Sequence, residues 1–219
     1  MRKIQIITLF PEMFKGVLEA SMLQKAAKNA VVSYELINLR SFGKGLRKRV
    51  DDTPYGGGDG MLLMVEPLSK AIKHAKESDP EALVILPTPR GVRFDQSRAN
   101  QLAEQDKGLI ILCPRYEGYD ERITSWVDLQ YCVGPYVLTG GELPAMIIVD
   151  AVVRLLPGVL GGANSASDES FQGDALQVEF PQYTRPEEFE GQKVPQVLLS
   201  GNHSEIAAWR QKNKRRLKE

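Results

Sequence analysis

Short apolar runs alternate with longer segments of mixed polarity along this sequence, and that alternation restricts the possible folds more than any other feature. The runs predict strands at residues 4–9, 31–39, 83–86, 109–113 and 129–133. Amphipathic helices are predicted between them at residues 67–76 and 96–105, and Asp95 is placed to cap the second helix. Strands that alternate with helices predict a parallel sheet covered on both faces, and therefore an α/β fold.

The character of the sequence changes after Leu156. The next residues are rich in Gly, Ala, Ser and Asn, which is typical of a flexible linker. Further on, Asn202 and Glu205 have the spacing of a capping box, which predicts a helix that carries the final basic run. We therefore expect a main α/β domain at residues 1–160, a linker at 161–172 and a small helical domain at 173–219.

Composition and cysteine content exclude several classes of protein. The 219 residues are 42% apolar and 26% charged, as in an ordinary globular domain. The longest dense apolar stretch, residues 143–156, contains a proline and two charges and is too short to span a bilayer. The N-terminus lacks the layout of a signal peptide, so we expect a cytoplasmic location. Cys113 and Cys132 lack disulfide-framework or metal-ligand spacing and are expected to be small buried hydrophobes.

Basic residues gather in two clusters although the formal net charge is zero. The first cluster consists of Arg40, Lys44, Arg47, Lys48 and Arg49. The second contains six Lys and Arg residues between positions 210 and 218. Segregated basic patches can bind the phosphates of a nucleic acid, whereas a solvated helix face is the commoner explanation for either patch alone. The charge pattern leaves both interpretations open.

Glycine and proline gather directly after three successive predicted strands. The strings are P-T-P-R-G at 87–91, P-R-Y-E-G at 114–118 and G-P-Y-V-L-T-G-G at 134–141. In an open α/β sheet, ligands bind beyond the carboxyl ends of the strands. One such loop alone would be a tight turn, but three together indicate a binding site. The sequence lacks the G-x-G-x-x-G and Walker patterns, and the glycine run at 56–60 is interpreted as a connector.

Residues 142–156 are apolar on nearly all sides, which predicts a buried helix. Glu142, Asp150 and Arg154 are separated by multiples of four residues, so we expect them to share one stripe. Asp150 and Arg154 suit an ion pair between residues i and i+4. Charges on a buried helix are also expected where it faces a pocket or an interface, which makes Arg154 a candidate functional residue.

Several longer strings resemble the TrmD family of bacterial tRNA (guanine-N1)-methyltransferases. They are V-D-D-T-P-Y-G-G-G-D-G-M at 50–61, R-Y-E-G-Y-D-E-R at 115–122, Y-V-L-T-G-G-E-L-P-A-M at 136–146, P-G-V-L-G at 157–161, Y-T-R-P at 183–186 and V-L-L-S-G-N-H at 197–203. The match follows the family's order from Ile7 to about Arg210. Strings of this length and rarity make chance a poor explanation.

The resemblance implies a SPOUT-type α/β domain with a deep C-terminal trefoil knot, and a homodimer with active sites at the subunit interface. It implies methyl transfer from S-adenosylmethionine to N1 of the guanosine 3′ of the tRNA anticodon, which maintains the reading frame. The linker and C-terminal domain of one subunit would complete the other's site and bind tRNA. The residues expected to bind S-adenosylmethionine are Thr88, Pro89, Gly91, Pro114, Tyr116, Glu117, Gly118, Val133, Gly134, Tyr136, Val137, Leu138, Gly140, Gly141 and Pro144.

The resemblance also assigns the groups that handle the proton. Guanine N1 loses a proton in the reaction and charge moves to O6, so a base is needed near N1 and a cation near O6. Family members use a linker aspartate as the base, and Glu169 takes that position here, with Asp168 beside it. Arg154 matches the family's catalytic arginine. Mg²⁺ dependence is implied as well, although no ligand cluster identifies a metal site.

The sequence departs from the family pattern at three positions. Pro114 replaces the usual glycine and Pro135 the usual aspartate, and proline has no amide to donate to a ligand. Glu169 replaces aspartate, which moves the carboxylate outward by a methylene. The resemblance also implies a basic tail at the C-terminus. We expect three basic residues near the end of this sequence to replace it in part: Lys214, Arg215 and Arg216.

Two other functions fit part of the sequence. A non-catalytic RNA-binding protein on the same scaffold would bind tRNA in a salt-dependent way without transferring a methyl group. The intact residues 136–141 and the carboxylate at Glu169 favour the enzyme, since a pure binding protein needs neither. A nicotinamide-dependent dehydrogenase shares the α/β pattern but would need the missing glycine fingerprint.

Overall fold

A computed structural model describes residues 1–160, 169–171, 173 and 176–217 of the chain. The chain divides into two compact units, Met1–Gly161 and Gly162–Glu219. Its strands are β1 (Arg2–Thr8), β2 (Val32–Asn38), β3 (Asp51–Asp52), β4 (Leu62–Leu63), β5 (Leu83–Arg93), β6 (Leu109–Leu112), β7 (Leu129–Cys132), β8 (Gln177–Val178), β9 (Glu188–Phe189), β10 (Gln192–Lys193) and β11 (Arg215–Arg216). Its helices are α1 (Lys15–Leu18), α2 (Ser21–Lys28), α3 (Val65–Ser78), α4 (Gln96–Glu104), α5 (Glu142–Val153), α6 (Gln196–Leu199) and α7 (His203–Asn213).

A five-stranded parallel sheet forms the centre of the first unit, with the strand order β2-β1-β6-β5-β7. Each of its strands overlaps one of the predicted apolar runs, α3 contains the first predicted helix, and α4 matches the second to within one residue, so the α/β class with a parallel sheet is confirmed. Asp95 caps α4, because its side chain accepts a hydrogen bond from the amide of Arg98 at 3.0 Å.

Apolar side chains are buried on both faces of this sheet. Ile4 and Ile6 of β1 belong to one core, which also contains buried residues of α2, α4 and α5. Ile7, on the opposite face, belongs to a second core with Leu68 and Ile72 of α3. Strand β6 is a continuous apolar run, L-I-I-L, because neither of its faces meets water.

Strand β5 is longer than predicted and is interrupted in its pairing with β7. Tyr131 of β7 pairs with Pro87 and again with Val92, so residues 88–91 leave the ladder before the chain returns to it. The predicted strand at residues 83–86 is therefore correct but stops early. Residues 88–91 are Thr, Pro, Arg and Gly, which are typical of a turn. The sequence therefore indicates a turn at a point where the strand continues.

The expectation that α5 carries one charged stripe is wrong. Glu142 is buried with 1% of its surface exposed, whereas Asp150 is exposed. Eight residues turn an ideal helix by about 80° beyond two full turns, at 3.6 residues per turn, so these carboxylates lie on different faces. Arg154 follows the helix as its C-cap and is half-buried.

The described part of the second unit combines α6 and α7 with two short antiparallel ladders, β9–β10 and β8–β11. A helical C-terminal domain is therefore not confirmed. One half of the predicted capping box forms, because the Asn202 side chain accepts hydrogen bonds from the backbone amides of Ser204 and Glu205. The backbone amide of Asn202 donates to the Ser200 hydroxyl and not to Glu205. The helix also does not carry the whole basic run, because it ends at Asn213 and β11 follows.

Most of the predicted linker, residues 161–172, lies outside the described residues; only residues 169–171 of it are described. Within the described parts of the chain, no helix is long and apolar enough to cross a membrane.

Candidate functional site

A pocket of about 740 Å³ lies at the carboxyl edge of the central sheet. Residues 87–90 within β5, the residues after β6, and the end of β7 with the residues after it line the pocket, together with the first turn of α5. The pocket therefore brings together the three glycine- and proline-rich strings that follow successive strands in the sequence. The lining residues expected from the sequence are Thr88, Pro89, Pro114, Tyr116, Glu117, Gly118, Val133, Gly134, Tyr136, Val137, Leu138, Gly140, Gly141 and Pro144.

Gly91 does not line the pocket. It lies in β5 where that strand rejoins β7, and a Cβ at this position would come within 2.5 Å of the Tyr131 backbone nitrogen and the Gln130 carbonyl carbon. Glycine is required there because two backbones approach each other closely. Gly91 therefore affects the pocket indirectly, because it allows β5 to pair closely with β7 next to the lining residues.

Further residues line the pocket without having been predicted to do so. They are Leu62, Pro87, Arg90, Arg115, Tyr119, Glu121, Tyr131 and Cys132. The sequence could have indicated three of these lining residues, because they lie within the proline- and glycine-rich strings: Pro87, Arg90 and Arg115. Leu62 carries no such signal, because it reaches the pocket through the pairing of its segment with residues 117–120, which are distant in the sequence.

The loop after β6 is held in an uncommon backbone conformation. Tyr116 has a φ of 62°, which is left-handed backbone that non-glycine residues seldom adopt. The amide of Glu117 donates to the Met61 carbonyl at 3.0 Å, and the amide of Leu63 donates to the Gly118 carbonyl at 2.9 Å. The segment that follows the glycine run is therefore hydrogen-bonded to the pocket wall, and the interpretation of that run as a mere connector is incomplete.

A buried ion pair joins two of the pocket loops. The Arg115 Nε atom lies 2.8 Å from Oε2 of Glu142, whose side chain is 1% exposed. The N–H is not aligned with that oxygen, so the contact is an ion pair without a well-formed hydrogen bond. The other carboxylate oxygen of Glu142 accepts from the Thr8 hydroxyl at 2.9 Å. The guanidinium also lies 4.6 Å from the centre of the Phe10 ring, and its Nη1 donates to the Thr139 carbonyl at 3.3 Å.

This ion pair also affects the neighbouring thiol. Burial raises the pKa of the Cys113 thiol well above its usual value, and the negative charge of Glu142 raises it further. Cys113 is therefore a neutral, buried packing residue, as expected from the sequence. Cys132 is half-buried, and its thiol donates to the Gly134 carbonyl at 3.2 Å.

A second polar network lies at the rim of the pocket. Arg90 donates from Nη2 to the Glu121 carboxylate at 2.5 Å and to the Tyr119 hydroxyl at 3.2 Å, which together raise the pKa of Arg90. The Tyr119 hydroxyl donates in turn to Oγ1 of Thr88 at 3.1 Å. These bonds attach residues 88–91 of β5 to the segment after β6.

Pro114 fits the pocket because position 141 is glycine. The Gly141 amide donates to the Pro114 carbonyl at 2.7 Å. A Cβ on Gly141 would lie 2.3 Å from Cδ of Pro114, so any side chain there would collide with the proline ring. The proline removes an amide donor but packs directly against the loop after β7. Pro135 is exposed.

Arg154, one of the candidate catalytic residues, is not among the described residues that line the pocket. Arg154 belongs to the first unit and Glu169 to the second. Glu169 is half-buried, and Asp168 lies outside the described residues. The structure thus gathers the predicted loop residues around the pocket, and the roles of Arg154, Glu169 and Asp168 stay predictions.

Comparison with known proteins gives a consistent result over almost the whole chain. A family model described as tRNA (Guanine-1)-methyltransferase TrmD matches residues 2–219. A tRNA (guanine-N(1)-)-methyltransferase from Dictyoglomus turgidum is 51% identical over 212 residues, which cover 97% of this chain and 84% of the relative. Enzymes of the same name from Geobacillus kaustophilus and Geobacter sulfurreducens are 51% and 52% identical, over 96% and 95% of this chain and 85% and 84% of their own lengths.

Proposed function

The chain belongs to the TrmD family of tRNA (guanine-1)-methyltransferases, and we propose that it transfers the methyl group of S-adenosylmethionine to N1 of the guanosine 3′ of the tRNA anticodon. The observation that carries this proposal is the pocket, which contains every residue expected to bind the methyl donor except Gly91. The modification would maintain the reading frame during translation in the cytoplasm.

The pocket wall suits S-adenosylmethionine. Its volume of about 740 Å³ is within the usual range for small-molecule sites, about 300–1,000 Å³. Tyr136, Val137 and Leu138 are exposed apolar side chains against which a purine can pack. Glu117 adds an exposed carboxylate that can accept hydrogen bonds from ribose hydroxyls or pair with an amine.

We also propose the SPOUT-type fold with a deep trefoil knot. The interrupted ladder between β5 and β7 supports it, because residues 88–91 leave the sheet and the chain then returns to it. The amide of Gly141, after β7, donates to the carbonyl of Pro114, after β6, so the last loop folds back against the earlier one. Knots are rare, and the family resemblance is what makes this topology the expected one.

The chemistry requires removal of one proton and stabilisation of one negative charge. Bound S-adenosylmethionine supplies an electrophilic methyl group on a sulfonium. The Glu169 carboxylate accepts the N1 proton while N1 bonds to the methyl carbon and the carbon–sulfur bond breaks. The Arg154 guanidinium would stabilise the negative charge that develops on O6. Asp168 is the neighbouring carboxylate and either assists or replaces Glu169.

The Mg²⁺ implied by the resemblance has no identified ligands. Among the residues that the structure describes, no group of three or more His, Cys, Asp or Glu side chains is arranged to hold a metal ion. The resemblance leaves either Arg154 or Mg²⁺ to stabilise the charge on O6.

We propose that two copies of the chain form each active site. Helix α5 begins at the pocket with Glu142 and ends with Arg154 as its C-cap. Twelve residues of helix are about 18 Å long at 1.5 Å per residue, so Arg154 is remote from the turn that lines the pocket of its own chain. A homodimer would supply the Arg154 of one subunit to the pocket of the other.

Mixed dimers test this arrangement. Arg154→Ala removes the proposed catalytic arginine, and Gly141→Ala distorts the pocket for the methyl donor. Each substitution is expected to abolish methylation. In a mixed dimer, one site contains both changes and the other contains neither. Random co-assembly should therefore restore about a quarter of wild-type activity. No restored activity in dimers shown to be mixed would contradict sites shared between subunits.

The proposed activity is tested by transfer of a labelled methyl group to unmodified tRNA. Loss of a general base reduces rates by about 10²–10⁴-fold, so Glu169→Ala should lose activity to that extent. It should still show the rise in melting temperature that S-adenosylhomocysteine causes, and NAD should cause none. Asp168→Asn is the matched control: loss of activity there, and not in Glu169→Gln, would move the base to Asp168. Full activity in Glu169→Ala and Arg154→Ala would contradict the catalytic assignment.

A further inference from the structure

A basic hairpin lies outside the pocket and takes no part in the function proposed above. Lys44 and Arg49 pair across it, with the Lys44 amide donating to the Arg49 carbonyl at 2.7 Å and the reverse bond at 2.9 Å. The Lys48 amide closes the turn by donating to the Gly45 carbonyl at 3.0 Å. Lys48 has a φ of 49°, so the turn has a defined backbone that holds a lysine in left-handed geometry.

The four cations of this hairpin lie in two places, two at its base and two at its tip. Lys44 forms an ion pair with Glu66, and Arg49 forms one with Asp52. The first contact joins the base of the hairpin to α3, and the second joins it to β3. Hydrogen bonds from Lys44 and from a lysine on α3 lower the pKa of Glu66 to about 2, so this carboxylate stays ionised at neutral pH.

Arg47 and Lys48, at the tip, have a different environment. Both are exposed, and neither forms an ion pair with any residue in the described parts of the chain. Arg40, in the segment just before the hairpin, is exposed as well. The cations at the base are therefore neutralised within the protein, whereas those at the tip are available to an anionic partner.

The hairpin is connected directly to the pocket wall. Val50 follows it, is fully buried, and accepts a hydrogen bond from the Met64 amide at 2.8 Å. Strand β3 then pairs with β4, whose Leu62 lines the pocket. Leu63 bonds to the Gly118 carbonyl in the loop after β6. A partner bound at the hairpin is therefore linked to the pocket by one short, hydrogen-bonded stretch of chain.

We propose that the tip of this hairpin, Arg47 and Lys48, contacts the phosphodiester backbone of the RNA whose guanine enters the pocket. This inference rests on the proposed function, which makes the partner an RNA. Arginine and lysine are the side chains that bind phosphate oxygens, and arginine does so through a forked pair of hydrogen bonds. Because the net charge of the chain is zero, such local clusters rather than an overall positive charge must attract a polyanion.

The test compares two variants with the same change in charge. Arg47→Gln/Lys48→Gln removes the cations at the tip. Lys25→Gln/Lys28→Gln removes two exposed cations from α2 and serves as the control. The dissociation constant for an unmodified tRNA is measured for each full-length protein from 50 to 500 mM salt, with S-adenosylhomocysteine affinity and melting temperature as checks on the pocket and the fold.

Each phosphate contact contributes about 0.7–0.9 to the slope of log affinity against log salt, so the hairpin variant should lose about 1.5 from that slope. At physiological salt its tRNA affinity should fall on the order of tenfold. The control should match the wild type, and both variants should keep wild-type affinity for S-adenosylhomocysteine. An unchanged slope in the hairpin variant, or an equal loss in the control, would overturn the inference while leaving methylation intact. Wild-type protein that neither binds nor methylates tRNA would instead refute the proposed function, and this inference with it.

Discussion

Replacement of Glu142 by glutamine removes the charge that faces Arg115 beneath the pocket loops. The carboxylate is 1% exposed and the arginine side chain 17% exposed, so water solvates either charge poorly when its partner is lost. Glutamine retains an oxygen that can accept from the Thr8 hydroxyl, which keeps the second contact of position 142. The substitution therefore isolates the effect of the ion pair.

Removal of one partner from a buried ion pair costs about 3–5 kcal/mol. The lower end applies here, because Arg115 keeps its contacts with the Phe10 ring and the Thr139 carbonyl. For a chain of this size, a loss of 1 kcal/mol lowers the melting temperature by about 2–4 °C. We therefore expect Glu142→Gln to melt about 6–12 °C below the wild type, and its affinity for S-adenosylhomocysteine to fall because the two loops joined by the pair are released.

A double-mutant cycle measures the pair itself. Glu142→Gln, Arg115→Gln and the double variant are compared by urea unfolding, followed by near-ultraviolet circular dichroism. Each single variant leaves a buried charge without its partner, whereas the double variant leaves none, so the double loss should be smaller than the sum of the single losses by at least about 1 kcal/mol. Additive losses, or a Glu142→Gln variant within about 0.5 kcal/mol of the wild type, would refute the reasoning.

Three further changes test other parts of the structure. Gly141→Ala should weaken S-adenosylhomocysteine binding on calorimetric titration, because the new Cβ would lie 2.3 Å from Pro114; wild-type affinity would contradict the packing described for that loop. Asp95→Ala should lower the free energy of unfolding by about 1 kcal/mol through loss of the α4 cap, and no change would show that the cap does not stabilise the helix. The pKa of Glu66 is lowered to about 2 by hydrogen bonds from lysines, so its stabilising contribution should be present above about pH 4 and be lost as the pH falls toward 2. A titration of its side chain by NMR checks this, and an ordinary midpoint near pH 4 would contradict the ion pair with Lys44.

The five strands of the central sheet and the helices α3, α4 and α5 were predictable because burial leaves a periodic pattern in the sequence. Runs that are apolar at every position mark strands buried on both faces, and Asp95 marks the start of α4. The order of the strands was not predictable, since parallel pairing leaves no local signal in the sequence. The two-residue ladders β9–β10 and β8–β11 were missed because two residues are too few to show a period.

The pocket was predictable for a different reason. Proline and glycine mark the places where β6 and β7 end and where β5 leaves its pairing with β7, and parallel strands bring these places to one edge of the sheet. Two features of the site were not predictable, because they depend on contacts between residues that are distant in the sequence. Gly91 packs against the backbone of β7, and the charge of Glu142 is paired with Arg115 from another loop. Neither the close approach nor the ion pair has a signature in the residues around it.

Nucleoside mass spectrometry of the reaction product tests the central claim most directly. Purified protein is incubated with S-adenosylmethionine and an unmodified tRNA that carries guanosines at the last anticodon position and at the position 3′ of it. We expect 1-methylguanosine to form, and to be lost when the guanosine 3′ of the anticodon is replaced by adenosine. A methyl group on another atom or another nucleoside, or no methylated product from a tRNA that the protein binds, would contradict the proposed function.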